Sequence, residues 1–534
     1  VSAPLDAVVI GAGHNGLVAA CYLAKAGLRV EVVERDDVIG GAVSTVERFP
    51  GYRIDRGSSL HVMIRWTGIV EELELHRFGL RYLDCDPWGF LPVAGAPGGG
   101  ITFHVDLDRT CASVEAVCGA QEARAYRDFV RDWVQRAEPM IEAFNGPPTP
   151  SRIGRAAWRA GKHLRVSGME ISRQFLSPGD GVLDETFTDE RLKAALAWMG
   201  SQSGPPMSEP GTAGHLGWSA LLHRRAPQRP VGGSGALTAA LAERFQSDGG
   251  RLRLGDAARS IEARGGRVSA VITAGGERLQ TKAVVSACHV LTTVQLAADS
   301  LPPALTERAQ RAVRVGNGIG VALRLGTTSL PAYPDAPDGV HSGLALLVPD
   351  RLALSSAYGD HLAGRPPAKP PVVVMAFSAV DPSLAPPGRH AVTVWGQWYP
   401  FDVAGGWERL RGETTDRLLA AVDAAAPGFS SSVEHAYLQT PQDLQDELGL
   451  LRGNVMHVDM SLPAMFGWRP LPELSGYRTP LPGLYLAGAS THPGGGVSGA
   501  SGRSAARVVL DDRDQSARRR GVATLRRLAG SRPS

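Results

Sequence analysis

The first forty residues follow a pattern of apolar and polar positions that predicts a strand, a helix and a second strand. Ala7 to Ile10 is an unbroken apolar run, as in a strand buried on both faces. Gly11 interrupts it. Leu17, Val18, Ala20, Cys21, Leu23 and Ala24 then recur at helical spacing, and Arg29 to Val33 returns to a strand that ends on Glu34. The far end of the chain has a matching signal. Leu484 to Ala487 is a short apolar strand stopping at Gly488, and Val497 to Leu510 reads as a helix that starts with small residues.

Between these ends the pattern changes three times. Residues 121–226 are mostly helical, with tryptophans at 133, 158, 198 and 218. Gly232 to Gly235 opens an amphipathic helix carrying Leu237, Leu241 and Phe245. Short strands follow, broken at Gly265-Gly266 and Gly275-Gly276 and ending in Ala283 to Cys288. From 300 to 470, strands (Val372 to Phe377, Ala391 to Trp398) alternate with a helix over 411–426. Proline-rich stretches at 146–151 and 364–371 mark loops, and no internal repeat is found.

The glycines make the N-terminal unit chemical. Gly11, Gly13 and Gly16 stand between strand and helix. The first makes a tight turn, the second admits a pyrophosphate to the backbone, and the third lets helix pack on strand. The helix N-terminus then offers free N–H groups and partial positive charge to phosphates. Glu34 is placed to accept from a ribose 2′-hydroxyl and to repel a 2′-phosphate, which disfavours NADP. Arg35, Gly40 and Gly41 continue the motif, the two glycines letting the chain turn back along the cofactor.

A glycine fingerprint alone does not separate NAD from FAD. A second glycine-rich site at Gly488 and Gly494-Gly495-Gly496 suits the ribityl and flavin end of a longer molecule. FAD is therefore the expected cofactor. The fold class expected is α/β, with a Rossmann-type FAD-binding domain in three segments, 1–84, 229–299 and 471–512. An α+β substrate- and membrane-facing domain is inserted as 85–228 (mostly helical) and 300–470, and a basic tail covers 513–534.

Composition narrows the rest. A chain of 534 residues with 43% hydrophobic and 20% charged residues has ample core for two or three domains. A net charge of +3, with no basic–aromatic patch, argues against nucleic acid as a partner. Five scattered cysteines without a CxxC give neither a disulfide framework, a zinc site nor a redox-active disulfide. Cys21, on the apolar helix face, is expected in the core. No metal site is expected, since no HExxH or His/Cys cluster occurs. No apolar run reaches the about 18 residues that span a bilayer, and the expected location is cytoplasmic. The arginine-rich tail is expected to be a solvated, disordered terminus, the alternative being a basic helix lying on anionic lipid. Gly316-Asn-Gly318-Ile-Gly320 lacks a following helix and is read as a glycine-rich edge or bend, which leaves one dinucleotide fold and no docking domain for NADPH. Oxygen or a quinone is then the electron acceptor to test.

Together, the N-terminal fingerprint and Gly488-Ala-Ser-Thr-His492-Pro-Gly494-Gly-Gly496-Val497 resemble the phytoene-desaturase-type FAD oxidoreductases over nearly the whole chain. Further stretches are similar to the flavoprotein-type bacterial β-carotene 4-ketolases: Gly41 to Tyr52, Asp55 to His61, Cys85 to Trp88, Ser203 to Pro210 and Gly453 to His457. The resemblance implies that Gly11, Gly13, Gly16, Glu34, Arg35, Gly40 and Gly41 bind the ADP half of FAD. It places Gly488, Ala489 and Gly494, Gly495, Gly496 and Val497 along the ribityl chain and isoalloxazine. Ala258 falls where the family touches adenine, with alanine in place of the usual valine.

The implied activity is oxidation of a carotenoid, with ring C4 ketolation by successive hydride removals preferred over desaturation. A flavin amine oxidase and a non-catalytic FAD-binding scaffold are the other readings. His61 and His492 are the imidazoles to test as proton carriers, the alternatives being a core histidine at 61 and a turn-shaping residue at 492. The four tryptophans named above, with Phe175, Phe187, Trp395 and Trp398, are candidates for an apolar tunnel. A membrane-dissolved substrate would require peripheral attachment, for which the basic tail is a candidate.

Overall fold

The computed structural model describes residues 4–164 and 168–530. Five short parallel strands form the sheet that carries the fingerprint: β1 (Ala7–Ile10), β2 (Val30–Val33), β3 (Arg251–Arg253), β4 (Val284–Ser286) and β5 (Leu484–Leu486). Their spatial order is β5-β4-β1-β2-β3, with Val8 opposite Val284 and Glu31, and Val284 opposite Leu484. Three distant stretches of chain thus share one sheet. β1, β2, β4 and β5 are buried along their whole length, as strands covered on both faces are, and the buried Glu31 of β2 is paired with Arg251 and Arg253.

The helix α1 (His14–Lys25) follows β1 and packs closely in two directions. A Cβ on Gly16 would come within 2.0 Å of the Gly11 carbonyl oxygen, and one on Gly502 within 2.1 Å of the Asn15 carbonyl oxygen. The second contact presses the helix Ala500–Gly530 against α1 and brings both ends of the chain together. That helix is longer than the sequence suggests. The backbone stays helical to Gly530, so the expected disordered tail is corrected to a helical one over the described residues. Residues 531–534, including Arg532, lie outside the described residues.

A seven-stranded, mostly antiparallel sheet forms the second layer system. Its order is Val433–Gln439, Gly320–Thr327, His390–Gln397, Val372–Met375, Leu344–Leu347, Gly89–Pro92 and Gly100–Phe103. Gly320 therefore begins a strand paired on both sides, inside the sheet rather than at its edge, and Gly318 makes the bend before it at φ +80°. The helices between Leu107 and Leu221 cover one face, where Trp88, Phe103, Tyr126 and Trp198 are buried together. The helix Trp407–Asp423, which begins four residues before the predicted 411, covers the other with Trp407 and Leu418. Among the described residues no helix is long and apolar enough to cross a membrane.

Candidate functional site

The turn from β1 into α1 is built to leave backbone N–H groups unclaimed. Gly13 caps the helix without any side-chain hydrogen bond, and no acidic residue occupies the first turn. Gly11 holds φ +99°, which only glycine adopts without strain. A Cβ on Gly13 would meet nothing nearer than the Gly40 carbonyl oxygen at 4.0 Å, so this backbone faces open space. The open space is a cavity of about 1430 Å³ running from the glycine turn to the helical layer. Gly11, Gly13, Gly16, Glu34, Arg35, Gly40, Gly41 and Ala258 line one end of it, and Gly488, Ala489, Gly495, Gly496 and Val497 line its middle.

Glu34 does more than face a ligand. Its Oε2 accepts the Ala12 backbone N–H at 2.7 Å and its Oε1 that of Asp36 at 3.0 Å. The carboxylate keeps lone pairs for a further donor, since each oxygen accepts more than one hydrogen bond. Gly40 donates its N–H to the Ala12 carbonyl at 2.9 Å, so the second glycine pair is bonded onto the first turn. Arg35 donates to the carbonyl of Asp446 at 2.9 Å, tying this end of the cavity to residues 445–449. Gly494 is the exception among the glycines. It lies behind the wall, where a Cβ would strike Met460 Sδ at 2.7 Å, and it does not line the cavity.

Both sequence-predicted proton carriers are corrected. His61 is fully buried outside the cavity wall, with Nδ1 bonded to Tyr82 Oη at 2.9 Å and Nε2 to Ser234 Oγ at 2.8 Å. It belongs to a polar knot in which Asp55 accepts from Thr45, Arg229 and the Ser234 N–H. Burial pushes its pKa down to about 3. His492 is also fully buried, between Phe144 and Phe466, with Nε2 facing the Ala143 carbonyl at 3.3 Å. Burial lowers its pKa to about 4, and it is absent from the wall. Neither residue lines the cavity.

Among the described residues, the histidines that do line the cavity are His14, His215, His289 and His457. Burial holds the first three near pKa 4 and drives His457 well below its usual range, helped there by His289 and Arg469. All four are neutral at pH 7. His14 Nε2 meets the Asn15 amide at 3.0 Å, and the ring also bonds the Gly496 backbone. His289 Nδ1 accepts from the Leu291 N–H at 3.1 Å, so Nε2 carries the proton and donates to the His457 carbonyl at 3.0 Å.

His457 is different. Ser490 Oγ accepts the Val290 N–H at 3.0 Å and lies 3.2 Å from His457 Nδ1. The arrangement that uses the serine's one hydrogen sends it to Nδ1 and leaves the imidazole proton on Nε2. His457 also has φ +63°, and its segment is held by Arg469, a fully buried guanidinium that donates to the carbonyls of Met456, Val458, Asp459, Ala464 and Ala489. His14 lies inside the fingerprint and His457 closes the Gly453 to His457 stretch, so both had a signal in the sequence. His215 had none.

Beyond the glycine ends the wall turns apolar. Of the tunnel candidates, Trp133, Phe175, Trp218 and Trp395 line it, joined by Trp88, Phe144, Phe466 and Trp468. Phe187, Trp198 and Trp398 are core, and Trp158 is exposed. The cavity acids, Glu34, Asp36 and Glu447, all belong to the sequence regions that carry the glycine turn and the Arg35 contact. All five cysteines are free, and only Cys288 reaches the wall, its thiol pushed up to about pKa 11 by burial.

An uncapped helix end, an open glycine backbone and a second glycine-lined stretch in one long cavity fit FAD. These features define an FAD-dependent oxidoreductase with a Rossmann-type domain. The chain belongs to the flavin containing amine oxidoreductase family, which it matches over residues 16–510. It is 33% identical to the rat (Rattus norvegicus) pyridine nucleotide-disulfide oxidoreductase domain-containing protein 2, over 95% of this chain and 93% of the relative. It is 28% identical to the phytoene dehydrogenase of Streptomyces griseus, over 93% of each. The solved structure of putrescine oxidase with bound putrescine superimposes with a TM-score of 0.62 at 14% identity, over 95% of this chain and 99% of that one, which shows a shared fold.

Proposed function

We propose that this oxidoreductase removes hydride from a long, apolar substrate of the polyene kind. The observation that carries the reading is the continuity of one cavity, from the glycine turn to a wall of Trp133, Met140, Phe144, Phe175, Trp218 and Phe466. FAD, when bound, supplies a two-electron acceptor. The protein's own part is to bind and to exclude water. Aromatic and methionine walls take up an extended hydrocarbon by apolar burial. His457 lines the cavity as a neutral ring, and with Ser490 donating to its Nδ1 its Nε2–H would orient a ligand oxygen rather than deliver charge. The similarity to phytoene dehydrogenase supports the polyene class. Ketolation at ring C4 of β-carotene, with water supplying the oxygen between two oxidations, is one form of this reading.

An amine substrate, as in putrescine oxidase, is less well served. Among the described residues, the lining of the apolar arm includes no carboxylate to pair with an ammonium group. Association with a membrane surface is part of the proposal, but its support lies away from the basic tail. Met169, Leu176 and Trp468 are exposed on segments whose neighbouring residues, Phe175 and Gly467, line the cavity. Oxygen or a quinone remains the proposed acceptor.

The test is anaerobic mixing of the FAD-loaded protein with detergent-dispersed phytoene or β-carotene, and separately with putrescine. Bleaching of the flavin bands by a polyene, with product identified by mass, is the expected result. Bleaching by putrescine alone overturns the reading.

A further inference from the structure

The helix Ala120–Phe144 turns one stripe toward the cavity: Trp133, Arg136, Ala137, Met140, Ile141 and Phe144. Every member but one is apolar. Arg136 is a cation on a greasy wall, and its neighbours leave most of that charge unanswered. Asp132 stands 3.7 Å away with a side chain 59% exposed, a geometry in which an ion pair is worth little. Glu170 acts on it from further off, and the Glu170 carboxylate already accepts from Arg173 and Gln174. The guanidinium lies over the Trp133 ring at 5.1 Å, and its Nε is buried with no hydrogen-bond partner. Burial lowers the Arg136 pKa, the signature of a cation partly stripped of water.

Among the described residues, the rest of the arm supplies no anion. Between residues 133 and 222 and between 462 and 468, the lining residues include no aspartate or glutamate. A guanidinium in such surroundings lowers its free energy most by meeting a carboxylate, which it can hold through two parallel N–H donors. We propose that Arg136 binds the anionic end of the substrate, so that the apolar arm selects a long-chain or polyene carboxylic acid over a neutral hydrocarbon. The acid lies against the 133–136 turn of the helix and the chain runs along the Met140 and Phe144 side. This inference rests on reading the arm as the substrate site, and it narrows the substrate class of that reading.

The experiment is a binding titration of the oxidised, FAD-loaded protein, read by the visible difference spectrum of the flavin and needing no turnover. The probes are all-trans-retinoate and its methyl ester, which differ only in the charged end. The expected result is at least tenfold tighter binding of the acid at low ionic strength, weakened by salt. Arg136→Gln is expected to bring the two affinities together, while Arg136→Lys keeps part of the preference. Equal affinity of the original protein for acid and ester overturns the proposal, and that comparison stands even where a variant fails to hold FAD. Acid preference without flavin bleaching by any polyene would instead remove the hydride-removal reading and leave the anion site in place.

Discussion

The Glu34 carboxylate accepts the backbone N–H of Ala12 at 2.7 Å, joining the end of the second strand to the turn that ends the first. The acid thereby fixes the glycine turn as well as facing the cavity. Replacing Glu34 with alanine removes a charge-assisted hydrogen bond worth about 1.5–3 kcal/mol. FAD affinity is expected to fall by about ten- to a hundredfold, with Glu34→Gln losing less. Isothermal titration of the apoprotein with FAD checks this, and unchanged affinity in Glu34→Ala would remove the assigned role.

Gly13 and Gly16 separate the two uses of glycine in this turn. A Cβ at 16 collides with the Gly11 carbonyl at 2.0 Å, whereas one at 13 projects into open space. Gly16→Ala is expected to destabilise the protein with or without cofactor, by about 1–3 kcal/mol as for other overpacked positions. Gly13→Ala is expected to fold normally and to bind FAD poorly. Thermal melts of both apoproteins, beside their flavin content, distinguish the two.

The hydrogen-bond donor at His457 Nε2 predicts a graded response. His457→Phe removes the donor and is expected to cost about tenfold in kcat/KM on an oxygen-bearing substrate, the worth of one neutral hydrogen bond. His457→Gln keeps an N–H and is expected to lose less. Because burial holds this ring neutral far below its usual pKa, its titration does not appear in the pH–rate profile between pH 6 and 8. A profile that lost an inflection near neutrality in His457→Gln would contradict the neutral assignment.

His61 supplies a pH dependence of stability. Its pKa is pushed down to about 3 in the folded protein by burial, against about 6.5 when unfolded. The unfolded chain therefore binds a proton that the native one refuses, and stability falls as pH drops below about 6.5, levelling off near the folded value. One such histidine gives a slope of about 1.4 kcal/mol per pH unit at most. His492, near pKa 4, adds to it over a narrower range. Denaturant midpoints between pH 7 and 5 are expected to fall less steeply in His61→Gln than in the parent protein. Parallel curves would show that the His61 ring takes up its proton alike in the folded and the unfolded chain.

Much of the frame was legible because its signals are local. Ala7–Ile10, His14–Lys25 and Val30–Val33 stand where apolar spacing and Gly11 put them. The short strand at Leu484–Leu486 was marked by its own composition. The C-terminal helix was anticipated to 510, and beyond it only as the alternative to a disordered terminus, because three apolar residues (Val522, Leu525 and Leu528) among arginines are a weak helix signal.

The choice of functional side chains was not legible in the same way. His61 and His492 look as available in the sequence as His289 and His457, yet the first pair is sealed in polar and aromatic packing and the second lines the cavity. Arg136 is one arginine among many until the helix that carries it is set against the apolar arm.

The sequence by itself determined the dinucleotide turn, its cofactor class and the strands and helix around it, because a glycine's φ and missing Cβ act within a few bonds. Only the tertiary structure decided which histidines and which cation meet a ligand. A side chain's exposure to a shared cavity depends on segments hundreds of residues apart packing together, and no local pattern encodes which way the ring will face.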